Sequence, residues 1–224
     1  MGVIKVIVFD LDGTLVDSVD DIAFAANAVL FARGLRPQPT DAYIPMIGEG
    51  ARRLMERALA VAGDGSADDV DEALAAFLAI YAGNLTRATV AYPGVAETLA
   101  ALAAAGFRQA VCTNKPEPHA RTILSRLDLD EHFAVIVGGD SVPGVRKPDP
   151  RVLAPILEAL QLPAAAAVLI GDSKTDVALA RAAGMRVIVR AGGYATQPAD
   201  ELGADAVIDD FSELPPMIAR MNAG

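Results

Sequence analysis

Hydrophobic positions along the chain follow two patterns. Short, nearly continuous apolar runs rich in Val and Ile recur at residues 3–9, 109–113, 134–137, 167–170, 186–189 and 206–208. A strand with one wet face would alternate. Runs without alternation belong to strands covered on both faces, as in a parallel sheet. Between most of them the apolar positions take helical spacing, at 95–105, 116–127, 150–160 and 176–183, with Gly106 and Gly184 placed as stops. The pattern predicts an α/β fold with a Rossmann-like parallel sheet core.

One interval breaks the alternation, since no second strand is expected until about residue 108. Within residues 16–90 the periodicity predicts three helices instead, at 18–33, 51–62 and 67–81. Ser18 and Asp21 have capping-box spacing, and Gly34 stands as a stop. Val70, Leu74, Phe77, Leu78 and Tyr81 form one apolar stripe, expected to be packing residues. The chain therefore divides into a sheet domain, residues 1–15 and 89–224, and an inserted all-α domain, residues 16–88. The expected linkers lie near 15–17 and 88–93.

The 224 residues carry 19 Lys plus Arg against 29 Asp plus Glu, a net charge of −10. That balance argues against a nucleic-acid or anionic-membrane partner, so an anionic ligand must be held by local cations. No apolar stretch approaches a membrane span, and the first run ends at Asp10, too early for a signal peptide. A single cysteine, Cys112, excludes a disulfide framework and suits the cytoplasm. With only His119 and His132 beside it, a zinc site of nitrogen and sulfur ligands is not expected.

The candidate chemistry sits where strands end. The first closes on Asp10-Leu11-Asp12-Gly13-Thr14, which taken alone could be a hairpin turn, but no second strand follows to complete one. In open α/β sheets ligands bind beyond the carboxyl ends of the strands, where Asp10 and Asp12 would point. Three further segments fall on the same edge: Thr113-Asn114-Lys115, Lys147-Pro148 and Gly171-Asp172-Ser173-Lys174-Thr175-Asp176. Each has an ordinary explanation, Ser173 with Asp176 as a helix cap for example. Together they bring a hydroxyl, an ammonium and several carboxylates to one edge of one sheet.

These motifs, with Gly138-Gly139-Asp140-Ser141, resemble those of the haloacid dehalogenase superfamily of phosphotransferases, within it the phosphoglycolate phosphatase group with a helical cap. The resemblance covers essentially the whole chain. It implies that Asp10 attacks phosphorus and forms an aspartyl-phosphate, and that Asp12 protonates the leaving alkoxide and then activates water. It further implies that Mg²⁺ is held by the Asp10 carboxylate, the Asp12 backbone carbonyl and Asp172, an all-oxygen set. Thr113, Asn114 and Lys147 would clamp the phosphoryl oxygens, with Lys115 beside them, while Ser173 and Asp176 would support Lys147 and the metal. Phosphate-monoester hydrolysis needs accelerations up to about 10²¹, and one general acid supplies on the order of 10²–10⁴, so positioning and fixed charge must do most of the rest.

Asp12 distinguishes the chain from a dehalogenase, which lacks the second aspartate. The four lysines, Lys5, Lys115, Lys147 and Lys174, all lie outside the insert, against a phosphonatase with a cap lysine. A cysteine-phosphatase reading of Cys112 fails because Pro118 stands where the arginine is required. A sugar phosphomutase or pyrophosphatase of the same superfamily, or a catalytically silent binding module, are the alternatives. Substrate choice is expected from the cap, with Gly48-Glu49-Gly50 as the specificity loop. Arg53, or its neighbours Arg52 and Arg57, would pair with a substrate carboxylate such as that of 2-phosphoglycolate, while at least two of the three are expected on a solvated helix face. The expected ligand is a small phosphorylated metabolite, and the expected assembly a monomer or homodimer.

Overall fold

The computed structural model describes residues 2–63 and 70–223. Six strands form one parallel sheet: β1 (Val6–Phe9), β4 (Arg108–Cys112), β5 (Val135–Val137), β6 (Ala167–Gly171), β7 (Arg186–Arg190) and β8 (Ala206–Ile208), in the order β5-β4-β1-β6-β7-β8. The order reverses at β1. It lies between β4 and β6, with Phe9 in register with Val111 and Ile170, so the ends of three central strands open at one place. That is the crevice in which this architecture binds ligands.

Both faces of the sheet are covered, which is why its strands are apolar but for Arg108 and Gln109 in β4 and the arginines at the two ends of β7. Ile7 and Phe9 of β1 pack on one side, with Leu99 and Leu102 of α4 (Val95–Ala104) and Ile123 of α5 (Glu117–Arg126). Val6 and Val8 pack on the other, with Ile156 of α6 (Ala154–Leu160) and Leu179 of α7 (Lys174–Ala183). A final helix, α8 (Leu214–Ala223), escapes the sequence pattern because Pro215 and Pro216 suggest a break. Both prolines sit in its first turn, where the backbone N–H groups have no helical acceptor to lose.

Between β1 and β4 lie α1 (Val19–Ala32), α2 (Ala51–Ala62) and α3 (Val70–Ala82). The expected start of α3 at 67–69 lies outside the described residues. The two crossings between helices and sheet pair with each other, β2 (Val16–Asp17) running antiparallel to β3 (Val90–Ala91). Ser18 is the N-cap of α1, but the anticipated capping box does not form. The buried Asp21 carboxylate instead accepts hydrogen bonds from the backbone of Ala88 and Thr89 and from the Thr89 hydroxyl, at 2.7–3.0 Å. Tying the second crossing to the first helix offsets the cost of burying that charge better than a local cap could.

Candidate active site

The chain leaves β1 through a tight turn in which Thr14, Leu15 and Val16 all donate backbone hydrogen bonds to the Leu11 carbonyl. Gly13 makes the turn possible. Its φ is +83°, and a Cβ there would collide with the Asp172 carboxylate. This close approach from β1 to the end of β6 sets Asp172 beside Asp10. One carboxylate oxygen from each of Asp10, Asp172 and Asp176 lies within 4.8 Å of the others, and all three residues are buried.

Lys147 neutralises part of this cluster. Its Nζ lies 2.8 Å from Asp10 Oδ1 and 2.7 Å from Asp176 Oδ1. Burial alone would favour the neutral amine, but the charges of Asp10 and Asp176 hold the Lys147 ammonium well above the ordinary lysine range. Asp176 serves two purposes. Oδ1 accepts from Lys147, while Oδ2 accepts from the backbone N–H and hydroxyl of Ser173, closing a true capping box on α7. One carboxylate thus makes both the cap on α7 and the contact with Lys147.

Among the described residues no cation pairs with Asp172. Its two oxygens accept from the Thr14 hydroxyl at 3.0 Å and the Tyr194 backbone N–H at 2.6 Å. Burial, reinforced by Asp176 and Asp10, pushes its carboxyl up to about 8. Burial likewise pushes Asp10 up to about 6, against the pull of Lys147. Three buried carboxylates facing one ammonium leave an excess of negative charge that a divalent metal ion fits, and oxygen is the donor such ions prefer.

Asp12 points elsewhere. Its Oδ1 accepts from Ser18 Oγ at 2.5 Å and from Lys115 Nζ at 2.8 Å. Asn114 braces the loops: its amide donates to the Gly48 carbonyl of the helical unit at 2.8 Å and to the Lys147 carbonyl at 3.2 Å, and its Oδ1 accepts from the Lys147 backbone N–H. Thr113 is buried, and its hydroxyl accepts from the Lys115 backbone N–H. Ser141, from the Gly138–Ser141 motif, donates to Glu117 and accepts from the Gly138 N–H, fastening the start of α5.

A cavity of about 50 Å³ opens over Asp10, Asp12 and Thr113. Its roof is apolar, built from Ile22, Ile47, Leu54, Phe77 and Leu78, and Gly48 and Gly50 reach its wall. Arg53 and Glu49 do not. Arg53 pairs with Glu56 one turn on, and Glu49 pairs with Arg57, both beside an outer, wider cleft. Arg52 pairs with Asp71. Arg53, expected to meet a substrate carboxylate, does not line this cavity, and the three arginines of this amphipathic helix pair with Asp71, Glu56 and Glu49.

Among the described residues of the lining, Lys115 is the one lysine or arginine. Burial alone would lower it, yet Asp12 and Tyr81 hold it above its ordinary value. Tyr81 and His119 also line the cavity, and the sequence pattern does not single them out. The visible signal was one phenol at the end of an apolar stripe. Tyr194 goes unmarked as well. Its hydroxyl accepts from the backbone N–H groups of Ser18 and Val19 and donates to Asp17, satisfying the start of α1 from outside the helix. Cys112 lies buried in β4, its thiol pushed up to about 12 by burial, so it is no nucleophile.

The topology, the inserted helices and the charge cluster define a hydrolase architecture, and the comparisons agree. Residues 7–190 match the haloacid dehalogenase-like hydrolases, and the chain belongs to that family as a phosphoric monoester hydrolase. It is 46% identical over 215 residues to a phosphoglycolate phosphatase of Rhodospirillum rubrum, spanning 94% of this chain and 89% of the relative. A crystal structure of a predicted phosphoglycolate phosphatase from Haemophilus somnus is similar with a TM-score of 0.90 and 33% identity, covering 97% of this chain and 99% of the other. CbbY from Rhodobacter sphaeroides, crystallised with phosphate, gives a TM-score of 0.79 and 28% identity over 94% of this chain and 96% of that one.

Proposed function

We propose that the chain hydrolyses 2-phosphoglycolate to glycolate and phosphate through an aspartyl-phosphate on Asp10. The observation that carries this reading is the pairing of two unlike compartments: a buried charge cluster at the sheet edge, and above it a small apolar cavity containing one ammonium. A phosphoryl group matches the first. A short leaving group that bears its own negative charge matches the second.

In the first step the Asp10 carboxylate attacks phosphorus while the ester P–O bond breaks, and Asp12 gives its proton to the leaving oxygen. In the second, Asp12 takes a proton from water as the water attacks the acyl phosphate, releasing phosphate and restoring Asp10. Lys147 and the Thr113 hydroxyl hold the phosphoryl oxygens. Asn114 acts by holding Lys147 and the Gly48 loop in place. Asp10 and Asp172, with the Asp12 carbonyl, would hold Mg²⁺, which when bound supplies charge neutralisation for phosphoryl transfer. Ser173 serves through Asp176. We place the closing unit at residues 16–88, which excludes water once the substrate is bound. The protein is read as cytoplasmic, monomeric or homodimeric. Among the described residues no helix is long and apolar enough to cross a membrane.

The test is a phosphate-release screen over 2-phosphoglycolate, sugar phosphates, nucleotides and pyrophosphate, scored as kcat/KM. Preference for 2-phosphoglycolate by about tenfold or more is expected. A sugar phosphate or pyrophosphate in first place would overturn the substrate. Asp10→Asn should abolish turnover with the fold intact, and near-normal rates in that variant would overturn the mechanism.

A further inference from the structure

Helix α3 sends one polar atom into the cavity. Tyr81 is 2% exposed, and its phenol oxygen accepts a hydrogen bond from Lys115 Nζ at 2.7 Å. The same ammonium donates to Asp12 Oδ1 at 2.8 Å. An ammonium has three donors. One is fixed by a residue of the sheet domain and one by a residue of the helical insert. Among the described residues none takes the third, which is left for whatever occupies the cavity, whose other walls are largely apolar side chains and glycine backbone. The Tyr81 ring is itself held, stacked on Phe77 at 5.5 Å and edge-on to His119 at 5.7 Å. The phenol oxygen is thus a fixed point toward which the flexible lysine stem is drawn.

We propose that Tyr81 is a positioning residue for substrate selection: it aims the free N–H of Lys115 at the carboxylate of the leaving group. It does so from the insert, so the carboxylate receptor is complete only when helix α3 lies over the sheet edge. Without the phenol oxygen the ammonium has Asp12 as its sole fixed partner and collapses onto it. It is then spent on the general acid instead of shielding an incoming carboxylate from that acid. The inference rests on the proposed substrate and assigns the selectivity to a residue on the cap.

The experiment compares 2-phosphoglycolate with ethyl phosphate, which has the same chain length and an alkoxide leaving group but no carboxylate. Tyr81→Phe keeps the ring and its stacking. It should lower kcat/KM for 2-phosphoglycolate about tenfold to a hundredfold more than for ethyl phosphate, mainly through KM, on top of any loss both substrates share through Asp12. In a Lys115→Met background the same substitution should change nothing further, and this double-mutant cycle isolates the pair from any general loosening of the cap. Equal losses on both substrates, or an unchanged preference, would overturn the assignment. A wild-type enzyme with no preference between the two substrates would instead overturn the substrate itself, and this inference with it.

Discussion

The sheet edge and the helical insert hold charged residues in opposite ways. At the edge, Asp10, Asp172, Asp176 and Lys147 are buried side by side, and each oxygen or ammonium depends on its neighbours. On the insert, Arg52 and Arg53 are exposed and Arg57 half-buried, and they pair with Asp71, Glu56 and Glu49. The first arrangement costs desolvation and concentrates field where a phosphoryl group would sit. The second keeps the surface hydrated and is worth about 0–1 kcal/mol per pair. Burial, rather than the presence of charge, separates the chemistry from the solvated face.

The sharpest way to break this contrast is to remove the ammonium at the edge. Lys147→Met leaves two buried carboxylates without their cation. It should destabilise the fold by about 3–5 kcal/mol and abolish turnover. Denaturant midpoints at neutral pH measure the first effect and phosphate release the second. Wild-type stability in this variant would show that the edge charges do not lean on one another.

Removing divalent metal should expose the same dependence through pH. The Asp172 carboxyl goes from an ordinary 3.8 to about 8 on burial, and Asp10 to about 6. Between those limits the folded protein binds more protons than the unfolded chain, so stability is greatest on the acid side and falls as pH rises. His119, which burial and Lys115 hold below its usual 6.5, works in the opposite sense up to that pH. From about pH 6.5 to 8 the Asp172 contribution dominates. Chelated protein should lose at most about 1.4 kcal/mol per pH unit there. Added Mg²⁺ should raise Tm more at pH 8 than at pH 5. An equal rise at both values would sever the metal from these carboxylates.

The same contrast explains what could be foreseen from the amino-acid order. Residues of the edge cluster come from strand ends and the turns after them, where an apolar run stops and a carboxylate or lysine follows, so Asp10, Lys147 and Asp172 stand out. Tyr81 does not, because an apolar stripe at helical spacing looks the same whether it faces a core or a pocket. Its phenol matters only through Lys115, 34 residues away. Asp21 misleads for a related reason. Its spacing from Ser18 fits a local cap, whereas its partners lie at Ala88 and Thr89, across an insert whose return path periodicity does not reveal. Tyr194 follows β7 in a segment without pattern, yet its phenol closes the start of α1. Local chemistry is visible in a sequence, and partnerships between distant segments are not.

The smallest expected effect refines the comparison most. Arg53 sits in α2 with its guanidinium 2.7 Å from Glu56, on the outer cleft and away from the cavity over Asp10. A cation that recognised the leaving group would have to give up that partner and cross the Gly48–Gly50 loop, whose backbone already meets Asn114. Arg53→Ala should therefore cost only the few tenths of a kcal/mol of a surface pair. It should leave kcat/KM for 2-phosphoglycolate within about twofold, whereas Lys115→Met loses about a hundredfold. A large rise in KM for Arg53→Ala, with ethyl phosphate unaffected, would relocate the carboxylate receptor to the cap surface. The exposed arginines would then join the chemistry from which their hydration now separates them.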